Sequence, residues 1–157
     1  SASGALGKIG TPEAIKTAVS VLIQLLQNQD EWVRDNAAYA LGNIGEGAKD
    51  AVPALIQTLK DQDEEFVRMT AAGALGSIGS KDAVPALIQA LQDQNKWVRD
   101  NAVEALGNIG EGAKDAVPAL IQALQDQNRD VRDSAARALE KIKKFLPEAT
   151  DGDDFDF

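Results

Sequence analysis

Residues 82–110 read DAVPALIQALQDQNKWVRDNAVEALGNIG, and the punctuation of this stretch decides the fold. Asp82 precedes an apolar run with Pro85 in its first turn, where a missing N–H costs little, so Asp82 to Leu91 is expected to be a short helix with Asp82 as its N-cap. Asn95 caps a second, longer helix whose apolar residues return at helical spacing and which Gly110 terminates. The unit is helix, short turn, helix, glycine.

The unit recurs along the chain. Its Val-Arg pair places Val33, Val67, Val98 and Val131 in register at spacings of 34, 31 and 33 residues, a period that signals a solenoid. The unequal spacings trace to turns, since GEGAKDAVP is longer than GSKDAVP and LKDQDEEFV is longer than LQDQNKWV. Asp50 and Asp115 echo Asp82, and Gly45 and Gly79 echo Gly110. Ser20 stands where the other units carry Pro53, Pro85 and Pro118. The first helix is therefore expected to start earlier, at Thr11 and Pro12, where a proline at position 20 would fall inside it. The opening ALGKIG (5–10) matches the end of a second helix, a half-repeat, whether from a cut array or a reshaped cap. The last helix is expected to run to about Leu146, where Pro147 stops it and a polar face caps the array.

Composition agrees and excludes much chemistry. Aromatic residues make up 4% of the chain, so the core must be Ala, Leu, Ile and Val, which suits closely packed helices. The chain has neither cysteine nor histidine, which removes disulfides, thiol nucleophiles, Cys/His zinc sites and imidazole catalysis. No long apolar run or signal-like start is present, so a soluble, cytoplasmic protein without cofactor is expected. The net charge of −9 opposes phosphate binding, and Glu148, Asp151, Asp153, Asp154 and Asp156 in the final ten residues supply five of those charges. The adjacent carboxylates Glu64–Glu65 and Asp153–Asp154 lie in a turn and the tail, with nothing to raise a pKa for catalysis.

The recurrent VR…A.AL and LG.IG words, each preceded by AVPALIQAL or a relative of it, resemble HEAT-like repeats of the phycobilisome-lyase type and lie close to the consensus of artificial helical repeat proteins. The resemblance covers Ala5 to Ile142. It implies an all-α, right-handed α-solenoid of antiparallel helix pairs: a half-repeat at 1–10, repeats at 11–45, 46–79, 80–110 and 111–147, and a separate acidic tail at 148–157. It also implies that the second helices line a concave surface. Residues 32–57 and 97–122 differ only at Ala38/Val103 and Tyr39/Glu104, as either recent duplication or deliberate design would produce.

Rotation at about 100° per residue puts Val33, Ala37, Ala40, Leu41 and Ile44 on the core side of one second helix, with Glu31, Trp32, Asp35, Ala38, Tyr39 and Gly42 opposite. Carried through the alignment, the expected contact residues are Trp32, Asp35, Asn36 and Tyr39; Phe66, Met69 and Thr70; Trp97, Asp100, Asn101 and Glu104; and Asp133 and Arg137, with Ser134 on the same exposed set. Four of the five aromatics before the tail fall there, the profile of an interaction hot spot, although rings that merely pack on neighbouring repeats would look the same. Arg34, Arg68, Arg99 and Arg132 are expected to form an Arg–Asp ladder along the solenoid, with Asp35, Asp100 and Asp133 beside three of them. The tail lacks the spacing and distal Glu of a calcium loop; Phe155 and Phe157 could anchor it to a groove while its acids steer, against a plain solvated terminus.

These residues point to a noncatalytic scaffold for a protein or peptide. An accessory subunit of a bilin lyase-like enzyme, and a designed or consensus repeat protein with no native function, are the alternatives. Iron-dependent hydroxylases of HEAT-like type need His-Glu motifs that this chain lacks, and the acids of the inner face oppose nucleic acid. No membrane association is expected, and the chain is expected to be a monomer or a weak end-to-end or tail-mediated oligomer.

Overall fold

The computed structural model describes residues 11–62 and 64–147; the half-repeat at 1–10, the tail at 148–157 and its Phe155 and Phe157 lie outside the described residues. Eight α-helices form four antiparallel pairs there: α1 (Pro12–Leu25) with α2 (Glu31–Ile44), α3 (Val52–Thr58) with α4 (Glu65–Ile78), α5 (Val84–Ala90) with α6 (Lys96–Ile109), and α7 (Val117–Ala123) with α8 (Arg129–Lys143). The described residues contain no strand, and none of their helices is long and apolar enough to cross a membrane. The result is an all-α solenoid.

Local chemistry sets the ends of the elements. Thr11 Oγ1 accepts from the Ala14 N–H with Pro12 at the start of α1, as the Ser20 substitution predicts. Asn95 accepts from the N–H groups of Trp97 and Val98, and Asn128 does the same at α8. Gly45, Gly79 and Gly110 end α2, α4 and α6 at φ of 70°, 78° and 67°, backbone that a side chain resists. Asp50, Asp82 and Asp115, expected as N-caps, are not. They sit inside 3-10 segments, Gly45–Ala51, Lys81–Ala83 and Gly110–Ala116, that feed straight into α3, α5 and α7, so no side-chain cap is made there. The last helix also stops earlier than Leu146: the chain leaves α8 after Lys143 through tighter bonds from the Phe145 and Leu146 N–H groups to the Ile142 and Lys143 carbonyls.

The first helices form one layer and the second helices the other, with Leu41, Leu55, Leu75, Leu87, Leu106, Leu120 and Leu139 fully buried between them. Successive second helices meet through glycine. A Cβ on Gly42 would lie 3.1 Å from Ala74 Cα, one on Gly76 2.6 Å from Ala105 Cα, and one on Gly107 3.0 Å from Ala138 Cα. The same register position of α8 is Glu140, which is exposed and has no described helix beyond it. Ala38, expected on the exposed side, is fully buried, and Gly42 is in the seam.

A second inter-repeat link runs along the turns. Arg34 Nε donates to Asp61 at 3.0 Å, Arg68 to Asp93 at 2.8 Å and Arg99 to Asp126 at 2.9 Å, each arginine reaching the turn of the following pair. The expected ladder exists, but its carboxylates are not the sequence neighbours Asp35, Asp100 and Asp133. Asp93 and Asp126 also accept the N–H groups of Asn95 and Asn128, so one side chain shapes its own turn and receives the preceding repeat. Arg99 and Arg68 further donate to carbonyls of the turns that precede their helices. Burial pushes the Asp126 carboxyl up, but the hydrogen bonds from Arg99 and the Asn128 N–H, with the charges of Arg99 and Arg132, outweigh it and hold the group below its ordinary 3.8.

Candidate interaction face

The face opposite the first-helix layer is built by α2, α4, α6 and α8. Each of these helices gives its core-side residues to its own pair and its Gly or Ala to the next second helix, which leaves a narrow outer stripe. Trp32 and Tyr39 on α2 are 61% and 64% exposed, and Trp97 on α6 is 50% exposed, enough to offer most of a ring to a partner.

The rings do not form one continuous ladder. Trp32 and Phe66 stack, with centroids 4.8 Å apart and planes inclined by 28°. Trp97 stands apart from that pair and receives the ammonium of Lys96, 4.9 Å from its ring centroid. Both contacts sit at the first turn of their helices, on the edge where the turns enter the face.

Further along α2 and α4 lies a groove of about 280 Å³. It is lined by Tyr39, Met69, Thr70 and Asn101 from the expected set, and by Ala38, Gly42, Asn43, Gly73, Ala74 and Ser77. Asn43 and Ser77 are exposed, and rotation identifies them four residues after Tyr39 and Gly73; the expected set stops one turn short of them. The same register position carries Asn108 and Lys141, and the Lys141 ammonium donates to Asn108 Oδ1 at 3.0 Å across the repeat boundary.

Polar residues on the face hold one another. The Thr70 hydroxyl donates to Asp35 Oδ1 at 2.6 Å, tying α4 to α2. Asp100 and Ser134 occupy the equivalent positions one block later, but there Arg137 Nη2 donates to Ser134 Oγ, and Asp100 Oδ1 is buried without a hydrogen-bond partner. Ser134 is 2% exposed, so its expected place on the open face is corrected: it is buried on α8, which packs against α6. Asn36 and Asn101 donate to the Trp32 and Trp97 carbonyls, which holds both amides close to their own helix backbones. Glu104 is exposed outside the groove, and Asp133 meets Arg129 at 3.7 Å on the far side of the face. The structure thus brings Trp32 to Phe66, and Tyr39 to Met69, Thr70 and Asn101, while Trp97, Glu104, Asp133 and Arg137 belong to neither group.

A family profile described as HEAT repeats matches residues 1–72, 19–99 and 84–152. No curated protein matches in sequence. Among solved structures the chain is similar to an engineered protein at 30% identity and a TM-score of 0.67, covering 90% of this chain and 71% of that one. It is similar to a designed armadillo repeat protein in complex with the peptide (KR)4 at 25% identity and 0.69, covering 88% and 72%. The complex of CpcE and CpcF of phycocyanin lyase from Nostoc sp. shares the fold at 24% identity and 0.66, covering 83% and 81%.

Proposed function

This chain belongs to the HEAT-repeat family, and on that premise we propose that it is a noncatalytic scaffold that holds a protein or peptide on the concave face of its second helices. The observation that carries the reading is the exposed Trp32 ring, stacked on the half-buried Phe66, on the same face as the groove of Tyr39, Met69, Thr70 and Asn101. Rings with few rotors beside hydrogen-bonding groups are what a peptide-binding hot spot requires. The likeness to a designed armadillo protein with a bound peptide supports the same use of stacked helices. In this reading residues 1–147 are the repeat domain and 148–157 a separate tail. The near-identical stretches 32–57 and 97–122, with the likeness to an engineered protein, favour a second reading in which the array is designed and has no native partner.

The test is selection of binders from a random peptide library on the full chain, then titration against Trp32→Ala/Phe66→Ala/Trp97→Ala. Truncating partly exposed hot-spot rings should weaken binding by about 2 kcal/mol or more while the fold persists. Selected peptides that bind the triple variant as well as the parent would end this reading.

A further inference from the structure

One register position on the face changes character along the array. The residue preceding the aromatic is Glu31 before Trp32, Glu65 before Phe66 and Lys96 before Trp97. At Trp97 the chain supplies its own cation, the Lys96 ammonium over the indole. Before Trp32 and Phe66 the same position carries a carboxylate instead. The basic residues of α2 and α4 are Arg34 and Arg68, and both are committed to Asp61 and Asp93 on the turn side. The stack therefore pairs the exposed Trp32 ring with the half-buried Phe66 ring, each preceded by an acid that no described side chain is seen to bond, although the charge of Glu65 also acts on Arg68.

Resting on the scaffold reading above, we propose that the Trp32–Phe66 stack receives a cationic side chain of the ligand, an arginine guanidinium lying over the rings with Glu31 and Glu65 as counter-charges. A planar guanidinium gains from both elements, since it stacks on aromatic faces and bonds carboxylates bidentately. The helix N-termini oppose a cation with about half a unit charge each, but Asp30 with Glu31, and Glu64 with Glu65, set full negative charges against each of them. Towards α8 the acids are balanced by bases, Arg129 against Asp133 and Arg137 on the same helix as Asp130, so a basic residue of a bound segment is favoured at α2 and α4 over α8.

The test uses fluorescein-labelled Gly-Arg-Gly-Arg-Gly amide and its citrulline counterpart, which keeps shape and hydrogen bonding but loses charge, read by anisotropy with the full chain. The arginine peptide should bind about tenfold tighter than the citrulline peptide at low salt, with the gap narrowing as ionic strength rises. Glu31→Gln/Glu65→Gln should lower arginine-peptide affinity about fivefold, whereas Glu46→Gln/Glu111→Gln, the same charge loss away from the face, should leave it within about twofold. Equal loss in the two double variants, equal binding of the two peptides, or no binding of the arginine peptide overturns the proposal. If both peptides bind equally and Trp32→Ala/Phe66→Ala abolishes binding, the cation assignment fails while the scaffold reading stands. If the arginine peptide binds and Trp32→Ala/Phe66→Ala leaves it unaffected, both fail.

Discussion

Replacing Gly76 by Ala should destabilise the array, although Ala is the better helix former by about 1 kcal/mol. The added Cβ would sit 2.6 Å from Ala105 Cα and 2.8 Å from Ala105 Cβ. Ordinary carbon contacts lie near 3.5–4.0 Å, so α4 and α6 must part by about 1 Å along a seam with no flexible side chain to yield. Overpacking of this kind costs about 1–3 kcal/mol and more where backbone is the obstacle, which outweighs the propensity gain. We expect a net loss of about 1–2 kcal/mol, or roughly 2–8 °C in Tm for a chain of this size. Gly73, one turn earlier on the same helix, is the internal control: its Cβ would meet only Asn101 Oδ1 at 3.5 Å, so Gly73→Ala should stabilise by about 0.5–1 kcal/mol. Urea unfolding followed by circular dichroism, with m-values compared, reads both. Ala105→Gly should recover less than the full loss in Gly76→Ala, because it removes the Cβ contact and leaves the one to Cα. A Gly76→Ala protein at or above parental stability would refute the account of the seam.

Arg99→Ala should cost about 2–4 kcal/mol in denaturant, because it leaves the half-buried Asp126 short of a charged partner, while Arg132→Ala, which loses a bond to the Asp126 carbonyl, should cost about 1 kcal/mol. The Asp126 carboxyl is held below 3.8 in the folded chain, so its contribution is whole above that pH and is lost as the pH falls through the lowered value; Asp126→Asn should flatten this acid limb of a stability–pH series. Asp35→Ala should cost about 1 kcal/mol through the lost Thr70 bond, whereas Asp100→Ala should be neutral or stabilising, since its buried oxygen has no partner to lose; equal losses at the two sites by thermal melts would contradict the pairing described.

The repeat, its helix pairs and its terminating glycines were legible because each rests on local chemistry: a fixed φ at Gly79, a cap at Asn95, a proline tolerated at position 12 and absent at 20. The face was legible only in outline. A helical wheel divides one helix into a core side and an open side, but α4 touches α3, α2 and α6, so three sides are occupied. Ala38 and Ser134 were misread for that reason: both lie on the flank taken by the neighbouring second helix. The ladder carboxylates were misread because Arg34 finds Asp61 across 27 residues, a pairing set by how repeats stack and not by sequence proximity. Asn43 and Ser77 carry neither an aromatic ring nor a charge to mark them, yet the groove extends one turn past Tyr39 and Gly73 to include them.

The glycine seam also fixes a length. A glycine backbone set against an alanine Cα lets second helices approach towards the lower end of the usual 8–10 Å helix spacing, and no rotamer change can alter that step. Two residues of an extended chain advance about 6.6 Å, so a peptide crossing the second helices at right angles loses about 1.5 Å of register at every boundary. For a peptide held there as proposed the array would act as a vernier: in perfect phase at α2, the peptide would be nearly a residue and a half out by α8 unless it crossed obliquely. Short ligands can match the scale over one or two repeats, and longer ones must tilt, bulge or skip a step to keep reading it.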